Sequence, residues 1–238
     1  MVDGDVVAIL EGLTVVDEDA FANTPARPYF GTAEDDDIEI GAYGDRVVGF
    51  SGDDDISFAD GVEARDMTLQ AGAGSDTIVL GDGDDFVEGN LGADIIIGGG
   101  GTDELYGGYG DDILTATTDT AELDAADTVF GGSGSDILAG DNGDALIGGT
   151  GNDEFLVDLS NPIAEPVTLG DLVPTTEQLV GEVSIAQDAV PTVSCETAAG
   201  GIGTNVIVEG RVVIILIGVD PSTLNASNVT INNTNVSS

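Results

Sequence analysis

Aspartate recurs along this sequence at a regular interval, most often nine residues, and an apolar residue follows each of these aspartates two positions later. Between residues 71 and 115 the interval is nine without exception. Such a series of carboxylates could bind cations, and the alternative is an acidic edge that water solvates. We predict metal ligation for Asp36, Asp45, Asp54, Asp76, Asp85, Asp94, Asp103, Asp112, Asp127, Asp136, Asp144 and Asp153.

Glycines occupy the first, second and fourth places of many nine-residue units, in which the aspartate is sixth and the apolar residue eighth, as in "GGGGTDELY" from residue 98. Glycine lets the backbone turn tightly and adopt positive φ, so carbonyl oxygens can point inward. Calcium binds six to eight oxygens from carboxylates and carbonyls. The units therefore predict calcium as the cofactor. Neighbouring acids are interpreted as outer charge or as solubilising groups; these are Asp35, Asp37, Asp53, Asp84 and Asp111.

The elements that must position these aspartates follow from the period. Nine residues fit neither a helix face nor a simple strand alternation, but they fit a short loop followed by a short strand. Each unit would form half a coil, so that loops two units apart stack and share an ion. About six calcium ions or more are predicted, between Asp36 and Asp54, Asp76 and Asp94, Asp94 and Asp112, Asp85 and Asp103, Asp127 and Asp144, and Asp136 and Asp153.

The composition supports a cation-dependent fold. Among 238 residues, 46 are acidic and only four are arginine or lysine, yet 41% are hydrophobic. Such a chain can become compact if cations neutralise its carboxylates. The same charge argues against a nucleic-acid partner, because phosphates require a basic surface. The longest apolar stretch, Arg211 to Val219, is far shorter than a membrane helix, so no membrane insertion is expected.

The residue types also argue against an enzyme. The chain has no histidine, which excludes a His-Glu-x-x-His zinc site and a Ser-His-Asp triad within this sequence. A two-carboxylate glycosidase remains compatible with so many acids. However, the repeats already account for the acids, and there is no tryptophan.

Three segments are expected. Residues 1–29 form an N-terminal cap, and residues 30–157 form the repeat region, with an irregular turn at 58–70 and an insertion near 116–121. Residues 158–238 form a β-rich C-terminal cap, because prolines appear there and sixth-place aspartates vanish. Within this cap, "TNVIVEGRVVIILIGV" predicts a hairpin that turns at Glu209 and Gly210.

The tandem pattern G-G-x-G-x-D-x-U-x resembles the RTX (repeats-in-toxin) calcium-binding family, most closely in "GGGGTDELY", "GGSGSDILA" and "GGTGNDEFL". The resemblance implies an all-β fold, a parallel β-roll with calcium between adjacent loops. Tyr43, Asn90, Asn142 and the short unit "GDNGDALI" depart from the pattern.

The C-terminal segments "VTLGDLVPTTEQLVGEV" and "VVIILIGVDPSTLNASNVTI" resemble the end regions of RTX proteins that are exported by type I secretion machinery. The resemblance implies a secreted, extracellular protein. We expect a calcium-stiffened protein with a structural or surface-associated role. The alternative is a non-catalytic module that binds a carbohydrate or a cell surface, as an adhesin does.

Overall fold

The computed structural model describes residues 28–42, 44–59, 61–117, 125–141, 143–159, 165–173, 176–183, 191–199, 201, 203–225 and 228–234. The expected N-terminal cap therefore lies outside the described residues except for its last two positions. Most of the insertion expected near 116–121 also lies outside them, as do Tyr43 and Asn142.

The described fold is built on two sheets. Their strands are numbered β1 to β20 in chain order. The 11-stranded sheet contains, in spatial order, β1 (Tyr29–Phe30), β3 (Arg46–Ser51), β5 (Thr68–Ala73), β7 (Phe86–Leu91), β9 (Glu104–Tyr109), β11 (Thr128–Ser133), β13 (Ala145–Thr150), β15 (Val167–Leu169), β19 (Arg211–Ile217), β18 (Gly203–Val208) and β17 (Val193–Thr197). The nine-stranded sheet contains β2 (Asp37–Ile40), β4 (Asp55–Phe58), β6 (Thr77–Val79), β8 (Ile95–Ile97), β10 (Ile113–Thr115), β12 (Ile137–Gly140), β14 (Glu154–Asp158), β16 (Gln178–Val183) and β20 (Val229–Asn233).

The chain alternates between the sheets, and each strand pairs in parallel with the strand two places further on, from β1 to β16. This confirms the all-β fold class and the parallel β-roll. Eighth-place residues stack in register, as Ile78, Ile96 and Leu114 do. All three are fully buried, because alternate side chains of a strand point to opposite faces and this face closes the interior.

The expected irregular turn at 58–70 contains the end of β4 and the start of β5. Between them, Met67 occupies the sixth place and Leu69 the eighth, so this segment is a repeat unit without its aspartate. Both side chains are buried. The four extra residues are accommodated in the loop, and the sheet register on both sides is continuous.

Both sheets continue beyond residue 157. β15 pairs in parallel with β13, β16 with β14, and β20 with β16, although none of these three strands follows a sixth-place aspartate. The predicted hairpin is confirmed, since β18 and β19 pair antiparallel. Glu209 and Gly210 both have positive φ at its turn, as a two-residue turn between twisted strands requires.

Candidate metal sites

The loops between the two sheets form two stacks at opposite edges of the roll. The loops of row 1 follow strands of the 11-stranded sheet and those of row 2 follow strands of the nine-stranded sheet. Row 1 carries Asp36, Asp54, Asp76, Asp94, Asp112, Asp136 and Asp153, and row 2 carries Asp45, Met67, Asp85, Asp103, Asp127 and Asp144. The predicted site residues are therefore divided between two rows.

A hydrogen-bond ladder joins successive aspartates in row 1. The backbone N–H of Asp94 donates to Oδ1 of Asp112 at 2.8 Å, and the same bond recurs at every step from Asp36 to Asp153 at 2.8–3.0 Å. The ladder passes through spacings of 22 and 24 residues. Stacking thus continues through the irregular turn and the insertion, both of which extend row 2 loops.

Row 2 has a shorter ladder of the same kind. The N–H groups of Met67, Asp85, Asp103 and Asp127 donate to Oδ1 of the next sixth-place aspartate, at 2.7–2.9 Å. The series ends at Asp144. If only the steps that join two aspartates are counted, row 1 therefore has six stacked pairs and row 2 has three.

The second carboxylate oxygen of these aspartates faces the interior of the loop. Oδ2 is buried and has no hydrogen-bond partner in Asp54, Asp76, Asp85, Asp94, Asp103, Asp112, Asp136 and Asp153. A buried carboxylate oxygen without a donor is costly. A cation beside each of these oxygens would remove that cost.

Burial shifts the acidity of the same groups. Desolvation raises the pKa of Asp85 to about 8, with a further contribution from the charge of Asp103. Desolvation likewise raises the pKa of Asp94 to about 7 and that of Asp54, Asp103 and Asp136 to about 6, against a partial opposing effect of the ladder hydrogen bonds. The fold therefore disfavours ionisation of these aspartates unless a positive charge is supplied.

Backbone carbonyls from the neighbouring coil approach the same oxygens. A Cβ added to Gly89 would lie less than 3.0 Å from both Oδ2 of Asp94 and the carbonyl oxygen of Gly107, which belongs to the next row 1 loop. A Cβ at four other first-place glycines would likewise meet Oδ2 of the aspartate in the same unit and a backbone carbonyl oxygen of the next coil; these are Gly31, Gly49, Gly107 and Gly131. Glycine at the first place therefore leaves room for oxygens where other residues carry a Cβ.

These oxygens are of the type that calcium binds. Within the described ranges, no group of three or more Asp, Glu or Cys side chains is close enough to hold a metal ion by itself. An ion in these loops would therefore need carbonyl oxygens as further ligands. Calcium accepts mixed carboxylate and carbonyl ligands, whereas zinc requires imidazole or thiolate ligands that these loops do not offer.

Second- and fourth-place glycines fix the shape of the loops. Gly92 has a φ of +137°, and a Cβ on it would clash with the carbonyl group of Gly74 in the preceding coil. Its N–H donates to the carbonyl of Tyr109 in the following coil at 2.8 Å. The close approach of successive coils therefore requires glycine at this place. At the second place, Phe50 and Asn90 adopt the positive φ that glycine has elsewhere.

Fifth-place acids have a role that the sequence analysis missed. Oδ1 of Asp53 accepts the N–H of Ser75 in the next coil at 2.7 Å, and Asp35, Asp66, Asp84 and Asp111 do the same for their neighbours. These bonds run in the opposite direction to the sixth-place ladder. The repeated occurrence of an acidic residue at the fifth place, in loops of both rows, is the signal that the sequence contained.

The short unit has a modified loop. Oδ2 of Asp144 accepts the N–H of Asp141, and the buried oxygen without a partner is Oδ1 of Asp141. Asp141 at the second place is therefore a candidate ligand that the sixth-place rule overlooked. The sequence did contain a signal for this role, because Asp141 lies in the one unit that is a residue short.

Row 1 ends on carboxylates that no repeat motif marks. Glu177, which precedes β16 as Asp153 precedes β14, is 3% exposed. Desolvation raises its pKa to about 7, and the charges of Asp153 and Asp171 add to the effect. Asp171 accepts the N–H groups of Gly148 and Gly149 at 2.9 and 2.8 Å. Both residues lie outside the period and could not be found from it.

Asp45 differs from the other predicted ligands. Asp45 is exposed, whereas the others are buried. Its neighbour in the next row 2 loop is Met67, which has no carboxylate. Ladder bonding in row 2 therefore starts one coil later than the series of aspartates does.

Comparison with known protein families gives one match. The family model for the RTX calcium-binding nonapeptide repeat (4 copies) matches residues 68–96, 88–119 and 123–147. No curated protein matches the chain. Across the residues that the structure describes, no helix has the length and apolar character needed to cross a membrane.

Proposed function

Residues 68–147 contain RTX calcium-binding nonapeptide repeats, and from this premise we propose that the chain is a secreted protein that folds on binding calcium and has a structural or surface-associated role. In the part of the chain that the structure describes, eight sixth-place aspartates have a buried Oδ2 without a hydrogen-bond partner, and this observation carries the proposal. Four of these oxygens, in Asp54, Asp94, Asp112 and Asp136, lie where a carbonyl oxygen of the next coil converges on the same space.

We assign the ions to the spaces between stacked loops. Six aspartate pairs in row 1 and three in row 2 give up to nine positions, which exceeds the six predicted from uninterrupted spacing. The aspartates of these pairs are the proposed ligands through Oδ2, together with loop carbonyls, except that Oδ2 of Asp36 already accepts hydrogen bonds from the N–H and hydroxyl of Thr32. In the Asp144 loop, Asp141 supplies the free oxygen.

Calcium would act here as the counter-charge that makes the fold favourable. The chain has a net charge of −42, and successive aspartates of a row are joined by direct hydrogen bonds between coils. Metal that binds only the folded state stabilises it by RT ln(1 + [L]/Kd), or about 2.7 kcal/mol per site at a hundredfold excess over Kd. Several such sites together can decide whether the repeats fold.

Circular dichroism during a calcium titration tests this proposal. The metal-free repeats should be largely disordered at neutral pH and become β-rich in millimolar calcium, while sodium chloride at matched ionic strength should restore much less, because it only screens. Asp94→Ala should weaken the response more than other single changes, since Asp94 takes part in two ladder steps at the centre of row 1, with three aspartates on either side. A metal-free protein with the full β signal would refute the proposal.

The number of ions is a separate test. Native mass spectrometry and calorimetry should count more than four calcium ions per chain. A count below four would contradict the assignment of ions to the spaces between loops, even if calcium still promotes folding.

For export, we propose that the C-terminal cap carries a type I secretion signal. Proteins with these repeats are typically secreted, which supports the extracellular location. Deleting residues 225–238 should leave the protein inside a secreting cell, whereas deleting residues 1–25 should not. Secretion of the C-terminally truncated chain would rule out this signal.

A second candidate function is non-catalytic binding of a carbohydrate or a cell surface, and a row of aromatic rings favours it. On the outer face of the 11-stranded sheet, the rings of Tyr106 and Phe130 are parallel within 5°, and their centres are 4.7 Å apart. The centre of the Phe86 ring lies 5.6 Å from that of Tyr106. Because the faces of Tyr106 and Phe130 are turned toward each other, a bound sugar would pack its apolar side along the edges of this aromatic row. A glycan screen in calcium should lose its signal with Tyr106→Ala and retain it with Tyr109→Ala, an exposed tyrosine at the end of β9 outside the aromatic row.

A further inference from the structure

The first coil of row 2 lacks the features that mark a metal position elsewhere. Met67 takes the sixth place and is 2% exposed, so the N–H of Asp45 has no carboxylate partner at that position. The carboxylate of Asp45 is exposed, whereas the other predicted sixth-place aspartates are buried. A calcium ion between these two loops would have one carboxylate fewer than an ion between Asp85 and Asp103.

An arginine side chain enters this space from the loop that ends in Met67. Nε of Arg65 donates to the carbonyl oxygen of Gly44 at 2.7 Å. A terminal nitrogen of the same guanidinium donates to the carbonyl oxygens of Gly41, at 2.9 Å, and Gly44. Both acceptors belong to the Asp45 loop, so one positive group joins two stacked loops through backbone oxygens.

The position of Arg65 is fixed from its other side. Its guanidinium carbon lies 5.4 Å from the centre of the Phe58 ring, and the side chain is partly buried. Arginine is suited to such a place because its planar guanidinium stays charged and its donors have fixed directions. An aromatic face adds to the attraction.

We infer that Arg65 is the cation of this loop pair and takes the place that calcium has between the other stacked loops. The charges agree, because a single positive group replaces a doubly charged ion where one aspartate is replaced by methionine. This inference rests on the proposed calcium sites in the other loops. It makes the stacking of the Asp45 loop on the next coil independent of calcium.

Ion counting with one substitution at two positions tests the inference. Asp45→Asn should leave the number of calcium ions per folded chain unchanged by native mass spectrometry. Asp94→Asn, the same change in a ladder of row 1, should lower the number by at least one. Loss of an ion from Asp45→Asn would overturn the inference. If the wild-type protein bound no calcium at all, the proposed function would fail instead.

A second pair of variants tests the side chain itself in saturating calcium. Arg65→Met should increase amide hydrogen exchange in residues 41–46 by about tenfold or more, because it removes charge-assisted hydrogen bonds, while the ion count stays the same. Arg65→Gly combined with Met67→Asp should create a repeat-like loop and gain one calcium ion. Met67→Asp alone should gain none, since Arg65 still fills the space. Unchanged exchange in Arg65→Met, or a gained ion in Met67→Asp alone, would refute the inference.

Discussion

Removal of calcium should reverse the pH dependence of folding, because burial raises the pKa of carboxylates that calcium would otherwise neutralise. A group whose pKa is higher in the folded state than in the unfolded state contributes stability below its unfolded pKa, and this stability is lost as pH rises through the folded pKa. Here the unfolded value is 3.8, and the folded values lie at about 6 for Asp54 and about 8 for Asp85. The metal-free roll should therefore lose stability between about pH 4 and pH 8.

The size of the effect can be worked from one group. A pKa that rises from 3.8 to about 7 makes ionised Asp94 about 4 kcal/mol less favourable in the metal-free fold than in the unfolded chain at pH 8, at 1.36 kcal/mol per pH unit. Five aspartates have raised values of about 6 or more. Together their cost is comparable to the roughly 5–15 kcal/mol that stabilises an ordinary domain.

The assay is circular dichroism of dilute protein freed of metal on a chelating resin, recorded from pH 4.5 to pH 8.5 with and without millimolar calcium. Without calcium, the β signal should be strong near pH 4.5 and weak above pH 8; with calcium, it should persist at pH 8.5. Asp94→Asn should shift the metal-free transition to higher pH, whereas Asp82→Asn at an exposed position should shift it much less. Equal β signal at pH 8.5 with and without calcium, or a metal-free transition in the opposite direction, would refute the reasoning.

Three further substitutions probe the loops, the core and the end of row 1. Gly92→Ala should lower the melting temperature of the calcium-bound form more than Gly61→Ala, by a difference worth about 1–3 kcal/mol, because both glycines have positive φ but only the first would clash with a neighbouring coil. Leu105→Ala should cost about 2–5 kcal/mol in chemical denaturation with calcium, since its side chain is fully buried; a smaller loss would indicate a loosely packed interior. Glu177→Gln should stabilise the metal-free protein at pH 8.5 but not at pH 5, given its pKa of about 7, and equal effects at both pH values would contradict this.

The repeating part of the fold could be predicted from spacing alone. An aspartate at the sixth place and an apolar residue at the eighth, as in Asp94 and Ile96, determine which residue faces the loop and which faces the core. Strands with the burial alternation of β8 follow directly from that order. Stacked pairs at a spacing of 18 residues could be predicted for the same reason.

The irregular coils could not be predicted, because a period does not say where extra residues go. Spacing alone could not decide whether the four residues between Asp54 and Asp76 shift the register or extend one loop. The structure places them in a row 2 loop, so the row 1 ladder is unbroken. Arg65 and Glu177 could not be assigned either, since their roles depend on neighbours 21 and 24 residues away in other coils.

The stacking of 11 strands in one sheet also determines how densely the molecule carries charge along its axis. At about 4.8 Å between strands, the sheet is roughly 48 Å long. The described residues carry 35 acidic side chains and three arginines, so their formal net charge of −32 amounts to one elementary charge per ~1.5 Å. Duplex DNA carries one per ~1.7 Å and holds a condensed layer of counterions for that reason. With its carboxylates ionised, the roll is thus a polyelectrolyte of comparable strength, and calcium must displace monovalent ions as it binds and folds the chain. Calcium affinity measured in dilute buffer will therefore exceed the affinity in salt, by a factor that is largest for the first ions and falls as bound calcium reduces the net charge.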